Sequence, residues 1–334
     1  MTARDLGGAT EAAIQAGNAV RGTTSPNPPV GCALVDASGE LIATGATSPA
    51  GGPHAEVNAL REAGDRARGA TAVVTLEPCN HTGRTGPCSH ALTQAGVARV
   101  VYLTADPFEP AAGGAEYLRD RGVKVVLQPE RVAALQPWLR SVRHNRPSVT
   151  LKFASTLDGF TAAVDGSSKW ITGEKARELV HQDRATRDAI IVGTGTAIAD
   201  NPSLTARYPD GSMRPVQPRR VVVGTRNVPD GNLTRLGFEQ YATPEEALQV
   251  LWETGGRDVL VEGGPALAAS FLELDAVDAV QAYIAPALLG DGRGVLNRSI
   301  ADTIAHARRF RTTCVRPVGN DVFLEMEKDV YGSR

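Results

Sequence analysis

Apolar positions in the first 130 residues alternate between the spacing of helices and that of short buried strands. Helices are predicted at Glu11–Val20, His54–Ala63, Cys88–Ala95 and near Ala115–Asp120. Strands are predicted at 31–35, 41–44, 72–76, 97–103 and 123–127. Strands separated by helices of this length indicate a mostly parallel sheet with helices on its faces.

A second α/β series follows a helix and the basic, proline-ended stretch Arg140–Pro147, which we interpret as the connection between domains. Strands are predicted at 149–154, 189–192, 220–224, 259–262 and 277–284, and helices near 174–185, 244–253 and 265–272. Pro209–Pro218 and Asn227–Leu236 are typical of surface loops. The pattern therefore predicts two α/β domains, 1–145 and 146–334.

Composition and charge are those of an ordinary globular protein. The 334 residues are 42% hydrophobic and 22% charged, with a formal net charge of −2. Nucleic-acid binding normally requires a basic excess, so we expect no nucleic-acid partner. No apolar run is long enough to cross a membrane, and Met1–Thr10 lacks the apolar core of a secretory signal. We expect a cytoplasmic protein without membrane partners.

The cysteines lie within a pattern that favours metal binding. They are Cys32, Cys79, Cys88 and Cys314, in a large chain without a secretory signal. His54-Ala55-Glu56 precedes Glu77-Pro78-Cys79 by about twenty residues, and Cys88 follows. This order is the signature of zinc-dependent nucleobase deaminases. We predict that His54, Cys79 and Cys88 bind Zn²⁺ and leave its fourth position to water.

Glu56 is the predicted catalytic residue, because a carboxylate can accept the proton of that water and return it to the substrate. His54 and Glu56 can converge only if the metal lies near the start of their helix. Cys88 is expected at another helix start, where the helix dipole favours a thiolate. A structural zinc site would instead need a fourth protein ligand from His81, His90 or Cys32.

The second half of the chain carries weaker motifs. Val261–Leu267 reads as a strand, a glycine turn and a helix start, which suits either phosphate binding or tight packing. No Gly-x-Gly-x-x-Gly follows the first strand, so a Rossmann fold is not predicted. Lys152 and Glu262 are charged residues on predicted buried strands, where burial requires a partner or a function.

The spacing of the cysteines separates this chain from most deaminases. Base, nucleoside and tRNA deaminases mostly have Pro-Cys-x-x-Cys, whereas eight residues separate Cys79 from Cys88 here. With this insertion and the stretch Ser25–Cys32, the chain closely resembles the bifunctional deaminase/reductase family of riboflavin biosynthesis, the RibD (also RibG) family. The resemblance spans nearly the whole chain.

The resemblance implies a fold and two activities. An N-terminal cytidine-deaminase-like three-layer domain would remove the 2-amino group of 2,5-diamino-6-(5-phosphoribosylamino)pyrimidin-4-one. A C-terminal dihydrofolate-reductase-like domain would then use NADPH to reduce the ribosyl chain of the product to ribityl. Phosphorylated pyrimidines would be the partners, and the protein would be a homo-oligomer, either a dimer or a tetramer.

The same resemblance implies binding residues, position by position. Asn27 would contact the pyrimidine, although a turn between two prolines is an equal reading. The sugar phosphate would meet Ser168, Arg184, Leu204, Arg207 and Glu262. The cofactor would contact Ala154, Trp170, Thr196, Asp200, Thr225, Gly264, Pro265, Ala266, Leu267, Ala268, Ala269 and Ser270. By their chemistry alone Trp170 fits a core position and Asp200 a turn, whereas Arg184 and Arg207 suit a phosphate.

Three segments depart from the family pattern. Relatives often have Arg-Thr-Pro-Pro-Cys where this chain has Arg84-Thr85-Gly86-Pro87-Cys88, and many have a histidine where this chain has Thr47–Ala50. At Val223–Arg226 relatives commonly have Asp before the Ser or Thr. Substrate contacts before Pro53 and cofactor contacts near Gly224 are therefore open.

Two other functions compete with this prediction. A nucleic-acid base deaminase with an appended binding domain is disfavoured by the long cysteine spacing and the lack of basic excess. A deaminase whose second half is a non-catalytic module can be distinguished only by an activity measurement.

Overall fold

The structure, a computed structural model, describes residues 6–81 and 86–328. Thr82–Thr85, which belong to the spacer between Cys79 and Cys88, lie outside the described residues. The chain divides into two compact units between Asn145 and Arg146. Among the described helices, none is long and apolar enough to cross a membrane.

Within its described residues, 6–81 and 86–145, the first unit contains a five-stranded sheet and five α-helices. Its helices are α1 (Gly7–Ala19), α2 (Ala55–Ala63), α3 (Cys88–Gln94), α4 (Gly114–Asp120) and α5 (Gln136–His144). Its strands are β1 (Gly31–Val35), β2 (Leu41–Ala46), β3 (Thr71–Val74), β4 (Arg99–Tyr102) and β5 (Lys124–Leu127). They lie in the order β2-β1-β3-β4-β5.

The prediction of a mostly parallel sheet is wrong for two of the strand pairings in this unit. Strand β1 is antiparallel to both β2 and β3, and only β3-β4 and β4-β5 are parallel. A tight turn explains the first reversal, because the Asp36 carboxylate accepts hydrogen bonds from the backbone N–H groups of Ser38 and Glu40. Two strands joined by so short a turn can pair only in antiparallel fashion.

Glycines allow helices to lie very close to this sheet. A Cβ atom on Gly31 would be 1.9 Å from the carbonyl oxygen of Ala13 in α1. A Cβ atom on Gly45 would be 2.2 Å from the carbonyl oxygen of Ala55 in α2. The start of α2 is therefore fixed against β2 by backbone contact.

The basic stretch before Pro147 is not a linker along most of its length. Arg140–His144 form the last part of α5, whose Trp138, Leu139 and Ser141 side chains are buried. The charged positions are the solvent face of an amphipathic helix. Asn145, with φ 51°, ends this helix in the left-handed conformation.

The second unit is built on an eight-stranded sheet. Its helices are α6 (Glu174–Arg184), α7 (Thr194–Asp200), α8 (Asn232–Leu236), α9 (Pro244–Glu253) and α10 (Pro265–Glu273). The sheet comprises β6 (Ser148–Thr156), β8 (Ala189–Gly193), β9 (Arg219–Val223), β10 (Glu239–Tyr241), β11 (Asp258–Val261), β12 (Val277–Ala285), β14 (Phe310–Val318) and β15 (Asp321–Lys328). A small separate pair is formed by β7 (Phe160–Ala162) and β13 (Arg293–Gly294).

The large sheet has the order β10-β9-β8-β11-β6-β12-β15-β14. Pairings from β10 through β12 are parallel, and β15 and β14 continue the sheet antiparallel. Loops that follow the carboxyl ends of β8, β9 and β11 therefore lie along one edge. In open α/β sheets this edge is where ligands bind.

The predicted elements of this unit are confirmed, and several others were missed. Helix α9 has the predicted bounds, whereas α8 replaces the end of the predicted loop Asn227–Leu236. Helix α7 was not predicted, because Thr194-Gly195-Thr196 has low helix propensity. Strand β14 is largely exposed and lacks the alternation of buried positions that would have revealed it.

Candidate active sites

Three predicted ligand atoms converge in the first unit. His54 is the residue before α2, Cys79 lies in the loop between β3 and α3, and Cys88 begins α3. The His54 Nδ1 atom is 3.5 Å from the Cys79 sulfur and 3.3 Å from the Cys88 sulfur. All three ligand atoms lie within 4.8 Å of one another.

The spacing fits a tetrahedral zinc ion. With Zn–S of about 2.3 Å and Zn–N of about 2.1 Å, tetrahedral geometry places sulfur and nitrogen about 3.6 Å apart. The observed separations are close to this value. One imidazole and two thiols leave a fourth position for water, as a catalytic zinc site requires.

The pKa values of the two thiols are shifted in opposite directions. Hydrogen bonding by Cys88, followed by that of His54, lowers the pKa of Cys79 to about 4. Sharing of a hydrogen bond with Cys79, together with burial, raises the pKa of Cys88 above its usual value. In the pair of thiols alone, the neighbouring Cys79 thiolate and burial outweigh the effect of the helix start on the pKa of Cys88. A bound dication deprotonates a coordinating thiol outright.

Glu56 lies beside the ligand cluster in the first turn of α2. Its side chain is 3% exposed, and burial, reinforced by the negative charge of Cys79, raises its pKa to about 7. A carboxyl group with such a pKa can both accept and release a proton near neutral pH.

The alternative fourth ligands do not join the cluster formed by the described residues. The His90 ring stacks on Tyr117 with 4.2 Å between ring centroids. Cys32 lies on β1, where burial raises its pKa well above the usual value. His81 has a buried Nδ1 atom without a hydrogen-bond partner among the described residues. The arrangement favours an open site over a closed structural one.

Surrounding residues fix the ligand loops. Both oxygens of Glu77 accept backbone N–H groups, from Ala115 at 3.1 Å and from Asp106 at 3.5 Å. Gly114 is required here, because its Cβ would lie 1.7 Å from the Pro78 carbonyl oxygen. These contacts hold the Pro78-Cys79 turn against the start of α4.

The segment of Asn27 is ordered by local hydrogen bonds. The Asn27 N–H group donates to the Thr24 carbonyl oxygen at 2.9 Å, and the Thr24 hydroxyl donates to the Asn27 carbonyl at 3.0 Å. The Trp138 ring N–H donates to the Pro26 carbonyl at 3.1 Å. The Asn27 backbone is thus in a turn, which leaves its half-buried side chain available to a ligand.

The second unit has a large cavity at the carboxyl ends of its parallel strands. Its volume is about 1450 Å³, and it is lined by parts of β6, α6, α7 and the turn before α10. Cavities of this size accommodate a cofactor together with a substrate. The lining includes backbone of Gly263 and Gly264 and the side chains of several cationic residues, which suit an anionic dinucleotide.

A buried ion pair forms one wall of this cavity. Arg184 donates from Nε and Nη2 to the two Glu262 oxygens at 2.7 and 2.8 Å. Lys152 Nζ lies 3.8 Å from Glu262. Burial opposes ionisation of Glu262, but the Arg184 charge and hydrogen bonds overcome it and lower the pKa to about 2. Burial also lowers the pKa of Lys152, partly offset by Glu262.

Most residues predicted for the second site line this one cavity. These are Ala154, Ser168, Trp170, Arg184, Thr196, Asp200, Arg207, Glu262, Gly264, Pro265, Ala266, Leu267, Ala268 and Ser270. Three do not line it: Thr225 is exposed after β9, Ala269 is buried in α10, and Leu204 is buried with φ 48°. Trp170 is 71% exposed, so the reading of it as a core residue is wrong.

Arg184, which is predicted to bind the sugar phosphate, already has protein partners for its guanidinium group. Two of its nitrogen atoms are engaged by Glu262, and its Nη1 donates to the Thr205 carbonyl at 3.1 Å. Arg207 is more available, because among the described residues only its Nε is bonded, to the Thr205 hydroxyl at 2.8 Å.

Several other residues of the cavity had no predicted role, and three of them carry polar or charged groups that bear on ligand binding. His181 bonds the Thr205 carbonyl through Nδ1 at 3.0 Å, Tyr283 lies on β12, and Arg226 follows β9. His181 is three residues before Arg184 on α6, a helical spacing that could have identified it. No local signal distinguishes Tyr283, which reaches the cavity only because β12 pairs with β6.

Family comparisons agree with both sites. Residues 8–104 match the cytidine and deoxycytidylate deaminase zinc-binding region, and residues 147–324 match the RibD C-terminal domain. The fold and sites therefore define a zinc-dependent deaminase joined to an NADPH-dependent reductase.

The curated relatives identify the family. Riboflavin biosynthesis protein RibD of Corynebacterium ammoniagenes is 59% identical over 307 residues, covering 90% of this chain and 91% of the relative. RibD of Mycobacterium tuberculosis is 46% identical over 323 residues, covering 94% and 95%. This chain belongs to the RibD family and is a bifunctional enzyme of riboflavin biosynthesis.

Solved structures show the same architecture. Acinetobacter baumannii RibD is similar with a TM-score of 0.84 and 35% identity, covering 98% of this chain and 99% of that chain. A Thermotoga maritima diaminohydroxyphosphoribosylaminopyrimidine deaminase/5-amino-6-(5-phosphoribosylamino)uracil reductase gives a TM-score of 0.86 and 32% identity, with the same coverage.

Proposed function

We propose that the two sites act in sequence on one phosphorylated pyrimidine. The first unit hydrolytically deaminates 2,5-diamino-6-(5-phosphoribosylamino)pyrimidin-4-one, and the second reduces the ribosyl chain of the deaminated product with NADPH. The observation that carries this proposal is the convergence of His54, Cys79 and Cys88 beside buried Glu56. The match of the second half to the RibD C-terminal domain supports the reductive step.

His54, Cys79 and Cys88 would hold the zinc ion in the first site. Bound there, zinc supplies a Lewis acid that lowers the pKa of a water molecule to about 7. Glu56 would accept one proton from this water and pass it to the ring nitrogen, and it would then carry the proton of the hydroxyl group added to the carbon to the departing ammonia. Its raised pKa suits both transfers, and its position in the first turn of α2 places it beside the ligands. Asn27 would hold the pyrimidine ring.

In the second site the nicotinamide supplies the hydride, so the chain needs no protein nucleophile. The Glu262–Arg184–Lys152 cluster would orient the opened sugar next to the nicotinamide. Arg207 and Ser168 would hold the phosphate, since Arg207 has terminal N–H groups available. The Gly264–Ser270 turn, Thr196 and Trp170 would contact the cofactor.

The test of the first site compares two glutamate variants on the same helix. Glu56→Gln should retain zinc, as measured by metal analysis, and lose ammonia release from the diaminopyrimidine. Removal of a general acid–base group costs about 10²- to 10⁴-fold in rate. Glu62→Gln, on the exposed face of α2, is the matched control. Normal ammonia release by Glu56→Gln would disprove the proton-transfer role.

The test of the second site follows loss of nicotinamide absorbance when NADPH and the deaminated pyrimidine are added. Oxidation of NADPH coupled to formation of a ribityl product is the expected result. Binding of NADPH without oxidation would leave the second unit as a non-catalytic module and only the deaminase standing.

We further propose a homo-oligomer located in the cytoplasm. Leu157 and Leu288, 67% and 72% exposed, lie on turns joined by the bond from Leu157 N–H to the Ala287 carbonyl. Such apolar residues favour contact with a second copy. None of the four cysteines, all of which the structure describes, forms a disulfide, which suits a reducing compartment. Light scattering should give more than the monomer mass, and Leu157→Ser with Leu288→Ser should lower it. A monomeric parent protein would refute the assembly.

A further inference from the structure

Tyr283 brings to the reductase cavity a phenol hydroxyl group for which the described residues supply no partner. Its side chain lies on β12 and is only 1% exposed, yet it forms part of the cavity wall. The ring packs against Phe323, with 5.0 Å between ring centroids, and belongs to an apolar cluster with two residues of α6. Among residues 6–81 and 86–328, no atom forms a hydrogen bond with the hydroxyl group. Buried tyrosine hydroxyls usually have a partner, which indicates that a molecule in the cavity supplies it.

The sheet register places Tyr283 on the same face as Lys152. Strand β12 is parallel to β6, with Tyr283 beside Ala154 and Gln281 beside Lys152. Paired residues point to the same face of a sheet, and so do alternate residues along one strand. Lys152 Nζ lies 5.5 Å from the centre of the Tyr283 ring and 3.8 Å from Glu262. Tyr283 therefore borders the charged cluster that we propose orients the opened sugar.

The Tyr283 hydroxyl group is a neutral donor. Burial raises the pKa of Tyr283, and the negative charges of Asp183 and Glu262 raise it further, so the group keeps its hydrogen. His181, another polar residue of the cavity, bonds the Thr205 carbonyl through Nδ1 at 3.0 Å. A carbonyl only accepts, and burial lowers the pKa of His181, so its second ring nitrogen is an acceptor. Of these two neutral groups, only the tyrosine can donate to a substrate oxygen.

Reduction of a ribosyl to a ribityl group generates an oxygen that needs such a donor. The C1′–O4′ bond breaks as the electron pair of the exocyclic nitrogen forms a C1′=N bond. O4′ leaves with a negative charge, which a proton from solvent neutralises. Addition of the nicotinamide hydride to C1′ completes the reaction, with a net uptake of one hydride and one proton. A donor fixed beside O4′ stabilises its charge as that charge develops.

We propose that the Tyr283 hydroxyl group donates a hydrogen bond to O4′ of the substrate as the sugar ring opens. The proposal rests on the proposed reductase function. Lys152 and Arg184 direct their charges to Glu262, which leaves Tyr283 as the O–H donor without a protein acceptor. The buried hydroxyl group is thus held ready for an acceptor that only the substrate brings.

The experiment uses Tyr283→Phe in the full-length zinc-loaded protein, a change that keeps the packed ring and removes only the hydroxyl group. We expect kcat for NADPH oxidation with the deaminated pyrimidine to fall about 10- to 100-fold, as loss of a hydrogen bond to a charged oxygen predicts, with KM nearly unchanged. The Kd of NADPH, measured by nicotinamide fluorescence, should stay the same. The unfolding temperature should not fall, because removal of an unpartnered hydroxyl group leaves no protein atom unsatisfied.

Tyr241→Phe is the matched control. The Tyr241 hydroxyl group has a protein acceptor, Glu239, at 2.7 Å, and Tyr241 lies outside the cavity wall. This variant should keep the parental kcat and have a slightly lower unfolding temperature, the reverse of the pattern expected for Tyr283→Phe.

A second measurement identifies the oxygen that Tyr283 contacts. The ribityl product carries O4′ as a hydroxyl group, and its 4′-deoxy analogue lacks that oxygen. Tyr283→Phe should weaken binding of the product about 3- to 10-fold, the effect of one neutral hydrogen bond, and leave the Kd of the analogue unchanged.

Three results would overturn the inference: a parental kcat in Tyr283→Phe, equal weakening of the product and its 4′-deoxy analogue, or a lower unfolding temperature with loss of NADPH binding. If the parent protein neither oxidises NADPH nor binds the ribityl product, the proposed reductase function itself fails. That outcome is distinct from a reduction that proceeds without the Tyr283 hydroxyl group.

Discussion

Glu56 and Glu262 are both buried carboxyl groups, and their neighbours shift their pKa values in opposite directions. Around Glu56, burial and the Cys79 charge raise the pKa to about 7. Around Glu262, the Arg184 charge and hydrogen bonds outweigh burial and lower the pKa to about 2. The first carboxyl group can therefore exchange protons near neutral pH, whereas the second remains a fixed negative charge.

The lowered pKa of Glu262 predicts a pH-dependent stability. At pH values above the usual pKa of a glutamate, about 4.5, ionised Glu262 contributes about 3 kcal/mol to the free energy of unfolding. This contribution is lost as the pH falls from about 4.5 toward 2. Glu262→Gln should therefore be less stable than the parent at pH 7, and the difference should shrink below about pH 5. Scanning calorimetry at several pH values tests this. Exposed Glu253→Gln serves as the control, and a pH-independent difference for Glu262→Gln contradicts the prediction.

The hydrogen bond that Trp138 donates next to Asn27 predicts that a change of this residue affects substrate binding without loss of zinc. Trp138→Phe keeps an aromatic ring in the core but removes the N–H group bonded to the Pro26 carbonyl, one residue before Asn27. We expect a several-fold higher KM for deamination, an unchanged kcat and about 1 kcal/mol lower stability. Steady-state kinetics and metal analysis provide the measurement. Trp252→Phe, in the second unit, should leave the deaminase KM unchanged, and a Trp138→Phe variant with lower kcat alone would contradict this role.

At the scale of elements, the packing of α2 on β2 decides where His54 and Glu56 lie. This packing depends on Gly45, because the α2 backbone occupies the space of a side chain. The pattern of apolar residues predicted both elements, but it gave no measure of their separation.

Gly45→Ala should displace the start of α2. A methyl group there would be 2.2 Å from the Ala55 carbonyl, and such overpacking costs about 1–3 kcal/mol. We expect reduced zinc content and slower ammonia release, with NADPH oxidation of the deaminated substrate unchanged. Gly8→Ala, in α1 with no atom within 4 Å of the new methyl group, should keep full zinc content. Full zinc occupancy and parental deamination in Gly45→Ala would contradict this account.

Sequence periodicity predicted elements where burial alternates regularly and failed where it does not. Helices α2 and α9 carry clear amphipathic patterns and were predicted nearly to the residue. Helix α7 rests on its contacts with neighbouring strands rather than on propensity. The antiparallel β1 pairings depend on connection geometry, which a hydrophobic pattern does not describe.

At the scale of the whole molecule, each unit has its own core. The large cluster of the first unit runs from Leu6 to Leu139, and the second unit contains three clusters from Val149 to Met326. The proposed zinc ligands come from the first unit alone and the proposed cofactor cavity from the second alone.

Removal of zinc should therefore affect one activity only. Chelation leaves the Cys79 and Cys88 thiols without their cation, and metal binding energy contributes to folding. We expect a lower unfolding temperature for the first unit and no ammonia release, with NADPH oxidation unchanged. Calorimetry with and without chelator, followed by zinc restoration, tests this. Parallel loss of NADPH oxidation would show that the second unit depends on the metal.

The sequence by itself predicted the deaminase chemistry, because the proposed metal ligands and Glu56 lie in short segments whose residue types and spacing are specific. It also determined the family, through the eight residues between Cys79 and Cys88. Only the tertiary structure decided which residues share the reductase cavity. Arg184 and Glu262 are 78 residues apart in the chain and meet because parallel strands bring distant loops to one edge. The same edge places Arg226 beside α7, a contact that depends on the absence of a side chain at Gly195.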